Sequence, residues 1–202
     1  MRMIQKIIVQ FIQNHIQRGD IEKALAKTNY LRRPQERYYY QGVCYFELGN
    51  LAKAQEELEN ALTVSDESEA VVQILVQVYM FQRKWDQAFK ILIPYQTRPE
   101  AQHMIKILNQ GEDSCQAYLN YMSLVRKSLK MLRSRNYEAA IACLQSALPH
   151  TEEKAKIYDQ IGAIYFNYLK DYRKAESYFA KAYAILPNDK RIKMNYAKAK
   201  LT

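Results

Sequence analysis

Tyr38–Ala61 reads YYYQGVCYFELGNLAKAQEELENA, and its spacing decides the fold. Tyr38, Gln41, Gly42 and Tyr45 stand at i, i+3, i+4 and i+7, which is one face of an α-helix. Ala54, Leu58 and Ala61 stand at i, i+4 and i+7 and define a second helix. Between them Gly49-Asn50 stops the first helix and starts the second, since Gly tolerates the left-handed stop position and Asn is a good N-cap. Gly42 and Ala54 are small where the two helices must cross closely. Tyr45 and Leu58, one turn away, are large enough to fill the space between neighbouring pairs. The stretch is a helical hairpin.

The pattern returns along the chain. Tyr158-x-x-Ile161-Gly162-x-x-Tyr165 leads through Asp171-Tyr172 to Ala175-x-x-x-Phe179-x-x-Ala182 and Pro187. Val72-x-x-Leu75-Val76-x-x-Tyr79 is followed by Ala88-x-x-x-Leu92. Leu124-x-x-Lys127-Ser128-x-x-Met131 leads through Asn136-Tyr137 to Ala140-x-x-x-Leu144-x-x-Ala147. A first, weaker copy has Ile8-x-x-Phe11-Ile12-x-x-His15, then Gly19-Asp20, then Ala24-x-x-x-Thr28. In it Ile12 replaces the small residue and Thr28 the bulky one. Asp20, Asn50 and Asp171 are expected to cap the helices that follow them.

Self-similarity at a period of about 34 residues is the mark of a helical-repeat array, and Ala54 and Ala88 are 34 apart. The copies resemble the tetratricopeptide repeat family, with Tyr38 and Tyr158 where that family often has Trp. The resemblance covers nearly the whole chain. It implies an all-α, right-handed superhelical solenoid of antiparallel helix pairs, with about five repeats and a C-terminal cap helix. The first helices would then line a concave groove.

The organisation expected is a single solenoid over residues 1–202. Three repeats occupy 1–99, an inserted helix and connection 100–120, and two repeats with the cap helix 121–202. The insertion reflects the 52 residues between Ala88 and Ala140. Pro94 and Pro99 break the preceding helix. Ala101, Met104, Ile105 and Leu108 then make a short amphipathic stripe closed by Gly111. A degenerate repeat or a flexible joint would both account for it. Asp189–Thr202 places Ile192, Tyr196 and Ala199 on one face and charge elsewhere, as a solvating end helix does.

Composition narrows the function. With five Gly and five Pro among 202 residues, the chain has too few breakers for a β-rich or disordered protein. No stretch approaches the ~20 apolar residues of a membrane span. The apolar run from Met1 to Ile12 is interrupted by Gln5, Lys6 and Gln10 and lacks a small-residue cleavage site. Ile4, Ile7, Ile8, Phe11 and Ile12 make it a first amphipathic helix rather than a signal peptide. Cys44, Cys115 and Cys143 form no CxxC pair, so neither a disulfide framework nor a zinc site is indicated, and a reducing cytoplasm is the expected location. His15, His103 and His150 are scattered, His15 in the slot of an interhelical aromatic. There is no phosphate-binding Gly-rich loop. No cofactor, metal or catalytic residue is therefore expected, and the chain is read as a non-enzyme.

The net charge of +9 is unevenly spread. Ala54–Gln82 has no Lys or Arg but carries Glu56, Glu57, Glu59, Asp66, Glu67 and Glu69. The three clustered glutamates are read as a solvated face. Tyr121–Arg135 has no acid but carries Arg126, Lys127, Lys130, Arg133 and Arg135, and Lys190, Arg191, Lys193, Lys198 and Lys200 follow near the end. The run 126–135 could be a solvated face, the edge of a groove for acidic peptide, or a nucleic-acid contact.

By the family's geometry, the peptide-binding residues of the groove are Tyr39, Val43, Phe46, Gln73, Gln77, Met80, Val125, Arg126, Leu129, Arg133, Lys156 and Phe166. Some family members grip a C-terminal carboxylate on this face with Lys and Asn. The matching positions here are Val43, Gln77, Leu129 and Ala163, which do not support that specificity. The function expected is a protein-interaction scaffold or chaperone-like adaptor, whose partner has apolar anchors and acidic flanks. The alternatives are association with nucleic acid through the basic C-terminal half, or a structural place in a larger assembly.

Overall fold

The computed structural model describes residues 2–64 and 68–201. Asp66 and Glu67 of the acidic block lie outside the described residues. Twelve α-helices and no strand occur among those described: α1 (Arg2–Arg18), α2 (Ile21–Thr28), α3 (Pro34–Glu47), α4 (Leu51–Val64), α5 (Glu69–Phe81), α6 (Trp85–Leu92), α7 (Pro99–Asn109), α8 (Glu112–Arg133), α9 (Tyr137–Ala147), α10 (Lys154–Ile164), α11 (Tyr172–Ile185) and α12 (Lys190–Lys200). The chain forms two compact units, residues 1–115 and 116–202.

Each repeat read from the sequence is a helix pair. The helices cross where the small residues stand. A Cβ placed on Gly42 would lie 2.5 Å from Leu58 Cγ, and one on Gly162 would lie 2.7 Å from Phe179 Cδ1. All five crossings are buried: Ile12 with Thr28, Gly42 with Leu58, Val76 with Leu92, Ser128 with Leu144, and Gly162 with Phe179. The first pair reverses the sizes, with the large side chain on the first helix and the small one on the second. The shared volume is what the close-packed crossing constrains, rather than which helix supplies it.

The five turns within pairs share one backbone device. The amide of the capping residue reaches back to the carbonyl of the last signature position: Asp20 to His15, Asn50 to Tyr45, Lys84 to Tyr79 and Asn136 to Met131, at 2.8–2.9 Å. The residue just before each cap is left-handed: Gly19 and Gly49, but Arg83, Arg135 and Lys170 in the later turns, at φ 57–58°. A side chain costs about 1 kcal/mol or more in that region. Arg135→Gly and Lys170→Gly are therefore expected to raise stability by about 0.5–1 kcal/mol each, read as an upward shift of the urea midpoint. Gly49→Ala, where a Cβ meets open space, is expected to lose a similar amount through strain alone.

The last of these turns is longer. Asp171 bonds back to Tyr165, six residues rather than five. A π-turn over Tyr165–Leu169 absorbs the extra residue and keeps Tyr165 and Asp171 in their repeat positions. Asp171 caps α11 by accepting from the Lys174 amide at 3.0 Å, and that bond holds its carboxyl below the usual carboxylate range. Asn50 and Asn136 cap in the same way, accepting from Lys53 and Ala139. Asp20 departs from expectation: its side chain makes no cap bond and instead lies 3.5 Å from His15 Nδ1.

In the interval after the third pair, α7 forms as the stripe predicts, closed by Gly111 at φ 96°, and it packs against α6. Residues 112–120 are helical too. They lengthen α8 to 22 residues, so much of the extra material extends a first helix.

All three cysteines are free and buried. Burial, with help from the Glu47 carboxylate, pushes the Cys44 thiol up to about 12. Thiolate is the reactive form. A disulfide reagent at pH 8 is thus expected to leave Cys44 unlabelled in the native protein for hours and to label it within seconds once denaturant is added.

Candidate functional site

The first helices of three consecutive pairs wall a groove in the unit 1–115. Val9 of α1, Gln35, Glu36, Tyr39 and Tyr40 of α3, and Ser68, Ala70 and Val71 at the start of α5 enclose about 260 Å³. The two tyrosines meet edge to face at 5.0 Å, and Gln13 Nε2 donates to the Tyr40 hydroxyl at 2.9 Å. Burial raises the pKa of both phenols, so each stays neutral and able to donate. The groove thus offers aromatic surface, one amide and one carboxylate. That combination suits an uncharged, extended segment better than a phosphate or a metal.

The structure divides the expected groove residues into distinct groups. Tyr39 lines the groove. Val43 and Gln77 are half-buried and Gln73 is exposed, so all three present surface. Phe46 and Met80 do not: Phe46 is 4% exposed and Met80 0%. Phe46 turns inward toward Phe81, with ring centroids 5.8 Å apart, and Met80 faces the core from α5. Their assignment as groove anchors is corrected to core packing. The reason lies beyond helix periodicity: Phe46 is seven residues from Tyr39 and Met80 seven from Gln73, a spacing that returns to the same face, so what buries them is the neighbour packed two turns further along each helix.

In the unit 116–202 the expected residues do not gather into one site. Val125 packs against the cluster of Tyr121, Ala140, Ile141, Leu144, Ile157 and Ile161. Leu129 is nearly half exposed, Arg126 is half-buried and Arg133 is exposed. Lys156 is exposed and pairs with Glu153 one turn back. Phe166 is held against Tyr172 and Phe179, and Lys198 of α12 lies 5.0 Å over its ring.

Three features were not legible from spacing. Glu59 belongs to no solvated face: it accepts from the Tyr79 hydroxyl at 2.7 Å and from Gln55, which in turn accepts from Lys84. Asp159 on α10 is fully buried and receives Arg191 and Asn195 of α12. Ile7 and Phe11 stand exposed on α1. The only sequence signal for the second was Asp159 itself, an acid between Ile157 and Ile161 of the apolar face. Among the described residues no cluster of His, Cys, Asp and Glu could hold a metal ion, and no helix is long and apolar enough to cross a membrane.

Comparison with known proteins finds a match to the family model described as tetratricopeptide repeat, at residues 36–67 and 155–189. No curated protein matches the sequence. Solved structures with a similar fold include MamA (residues 41 to the end) from Desulfovibrio magneticus RS-1, 16% identical over 92% of this chain and 97% of that one, TM-score 0.42. A thermophilic tetratricopeptide protein from Thermus thermophilus is 18% identical over 98% of this chain and all of the other, TM-score 0.42. One from Parabacteroides merdae is 19% identical over 98% of this chain and 71% of the other, TM-score 0.43. The two matched segments are the two hairpins whose glycine crossings are tightest, and with them this all-helical chain carries tetratricopeptide repeats.

Proposed function

We propose that this protein is an interaction scaffold whose groove between α1, α3 and α5 receives an extended segment of a partner protein. The observation that carries the reading is the groove's construction: three first helices contribute, and two tyrosine rings stand in its walls beside the Gln35 amide, the Glu36 carboxylate and small apolar side chains. Tyrosine gives large contact area at low entropy cost and is a frequent anchor at interfaces. Tyr39, Val43, Gln73 and Gln77 would contact the partner. Arg126, Leu129 and Arg133 of α8, within the unit 116–202, would offer a separate basic and apolar stripe to an acidic segment, with Lys156 as a further cation. Val125 and Phe166 would support their own helices rather than touch a partner. The three buried thiols fit a reducing cytoplasm.

The test is capture of partners from native lysate, with and without nuclease, on wild type and on Tyr39→Ala. Proteins retained after nuclease and lost with Tyr39→Ala support the groove. Loss on nuclease treatment alone would favour nucleic acid on the basic surface. With a captured partner in hand, surface-plasmon kinetics separate the two surfaces. Tyr39→Ala is expected to speed dissociation, at a cost of about 1–2 kcal/mol. Arg133→Glu is expected mainly to slow association, by an amount that fades as salt shortens the Debye length below ~8 Å. If neither variant differs from wild type, the partner uses another face.

A further inference from the structure

The outer face of α1 carries Ile4, Ile7 and Phe11, which are 61%, 49% and 54% exposed. Three large apolar side chains at i, i+3 and i+7 make one stripe. Val9, which lines the groove, is two residues from Ile7 and so points to the opposite side of the helix. The stripe is a different surface from the groove.

The repeat itself says what this surface is for. In the third copy the positions of Ile7 and Phe11 are taken by Val71 and Leu75, and in the fifth by Ile157 and Ile161. All four are at most 1% exposed. Ile157 and Ile161 pack with Ala140, Ile141 and Leu144 of α9, the second helix of the pair before. Val71 and Leu75 belong to α5, against which α4 packs, again a second helix of the preceding pair. In the second and fourth copies the same positions are Arg37 with Gln41 and Ser123 with Lys127, none of them buried. Within this chain, then, the two positions are apolar and buried in the third and fifth copies, and polar and not buried in the second, although α2 packs against α3 there, and in the fourth. Only on α1 are they apolar and uncovered among the described residues.

We propose that this stripe docks an acidic amphipathic helix from a partner protein, seated as the second helix of a preceding pair would be. Charge selects the acidic partner. Arg2–Arg18 contains no Asp or Glu, and Lys6 and Arg18 are exposed beside the stripe. A head-to-tail second copy would bring α12, with Lys190, Arg191, Lys193, Lys198 and Lys200, against this basic helix. An α1-to-α1 pairing would likewise oppose cations to cations. Like charges at a contact weaken it, whereas carboxylates flanking an apolar stripe would complement it.

A defined probe exists in the chain: a capped peptide of residues 50–64, a second helix that carries Glu56, Glu57 and Glu59. Its binding to the full chain is measured by fluorescence anisotropy, alongside a peptide with those three residues changed to Gln. The receptor variants are Ile7→Ser and Phe11→Ser, singly and together, each checked for an unchanged thermal midpoint, since exposed positions should tolerate truncation. Saturable binding that weakens at least tenfold in the double variant, and severalfold with the Gln peptide, is expected. Absence of saturable binding up to millimolar peptide, or binding indifferent to the double variant, overturns the proposal. So does sedimentation showing a wild-type dimer that the double variant makes monomeric, because the occupant would then be a second copy. Tyr39→Ala should leave this binding unchanged, which keeps a failure here separate from a failure of the groove.

Discussion

Gly42→Leu and Gly162→Leu are each expected to cost about 3 kcal/mol, at the upper end of what overpacking does in a close-packed interior. The distances set that expectation. Even the first carbon of a new side chain would stand 2.5 Å and 2.8 Å from Leu58 Cγ and Cδ2, or 2.7 Å and 2.8 Å from the Phe179 ring. No rotamer of a longer side chain avoids that first atom. Gly→Ala is the more informative change, because two effects of similar size oppose each other. Alanine gains about 1 kcal/mol of helix propensity over glycine, and the clash costs about 1–3 kcal/mol. Gly42→Ala should therefore be mildly destabilising in wild type. In a Leu58→Ala background the clash is gone and only the propensity remains, so the same change should turn stabilising. A sign reversal between backgrounds, read from urea melts followed by circular dichroism, would be hard to obtain in any other way. Lys127→Ala, exposed in the fourth copy, is the control and should shift stability by no more than about 0.5 kcal/mol. Equal midpoints for the glycine and lysine variants would mean that the helix-pair register is wrong.

Arg191→Ala is expected to cost about 3 kcal/mol, more than truncating an arginine whose side chain is 59% exposed would ordinarily do. The loss falls on its partner. Asp159 is fully buried, and without Arg191 its carboxylate keeps only the Asn195 amide, at 2.8 Å. Breaking a buried pair from one side strands a charge in a poorly polarisable interior, which costs several kcal/mol, whereas removing both charges often costs little. In an Asp159→Asn background, Arg191→Ala should accordingly cost no more than about 1 kcal/mol. Hydrogen exchange adds a local readout. Arg191→Ala should speed exchange throughout α12 before it affects α9, because Asp159 is what binds the end helix to α10. If Arg191→Ala cost the same in both backgrounds, the ion pair would be a surface decoration and α12 would be held by Ile192 and Ala199 alone.

These two predictions differ in how early they could be made. The glycine crossings were legible in the residues themselves. A small residue at i+4 of one apolar face, a bulky one at a matching place on the next, and a turn between them are local properties, and helix periodicity turns each into a direction in space. The same holds for the stops at Gly19 and Gly49, the caps at Asn50 and Asp171, and the Ile192–Ala199 face of the end helix, whereas left-handed Arg83, Arg135 and Lys170 carry no such mark. Asp20 escaped because a cap is a competition: its carboxylate stands between His15 Nδ1, at 3.5 Å, and Lys23 Nζ, at 4.0 Å, rather than on an amide of the helix start.

What only the tertiary structure decided is which neighbours each face meets. Phe46 and Met80 lie on the same helices as Tyr39 and Gln77, yet the packing of α3 and α5 closes over them. Ile7 and Phe11 have the residue types of a core and remain in water, because what buries those positions elsewhere is a helix of another pair. Asp159 reads as an ordinary acid until α12 folds across it. A sequence states the preference of a side chain for burial through its own chemistry, whereas burial itself is a property of the surface brought against it, and that surface comes from residues a turn, a pair or some thirty positions away.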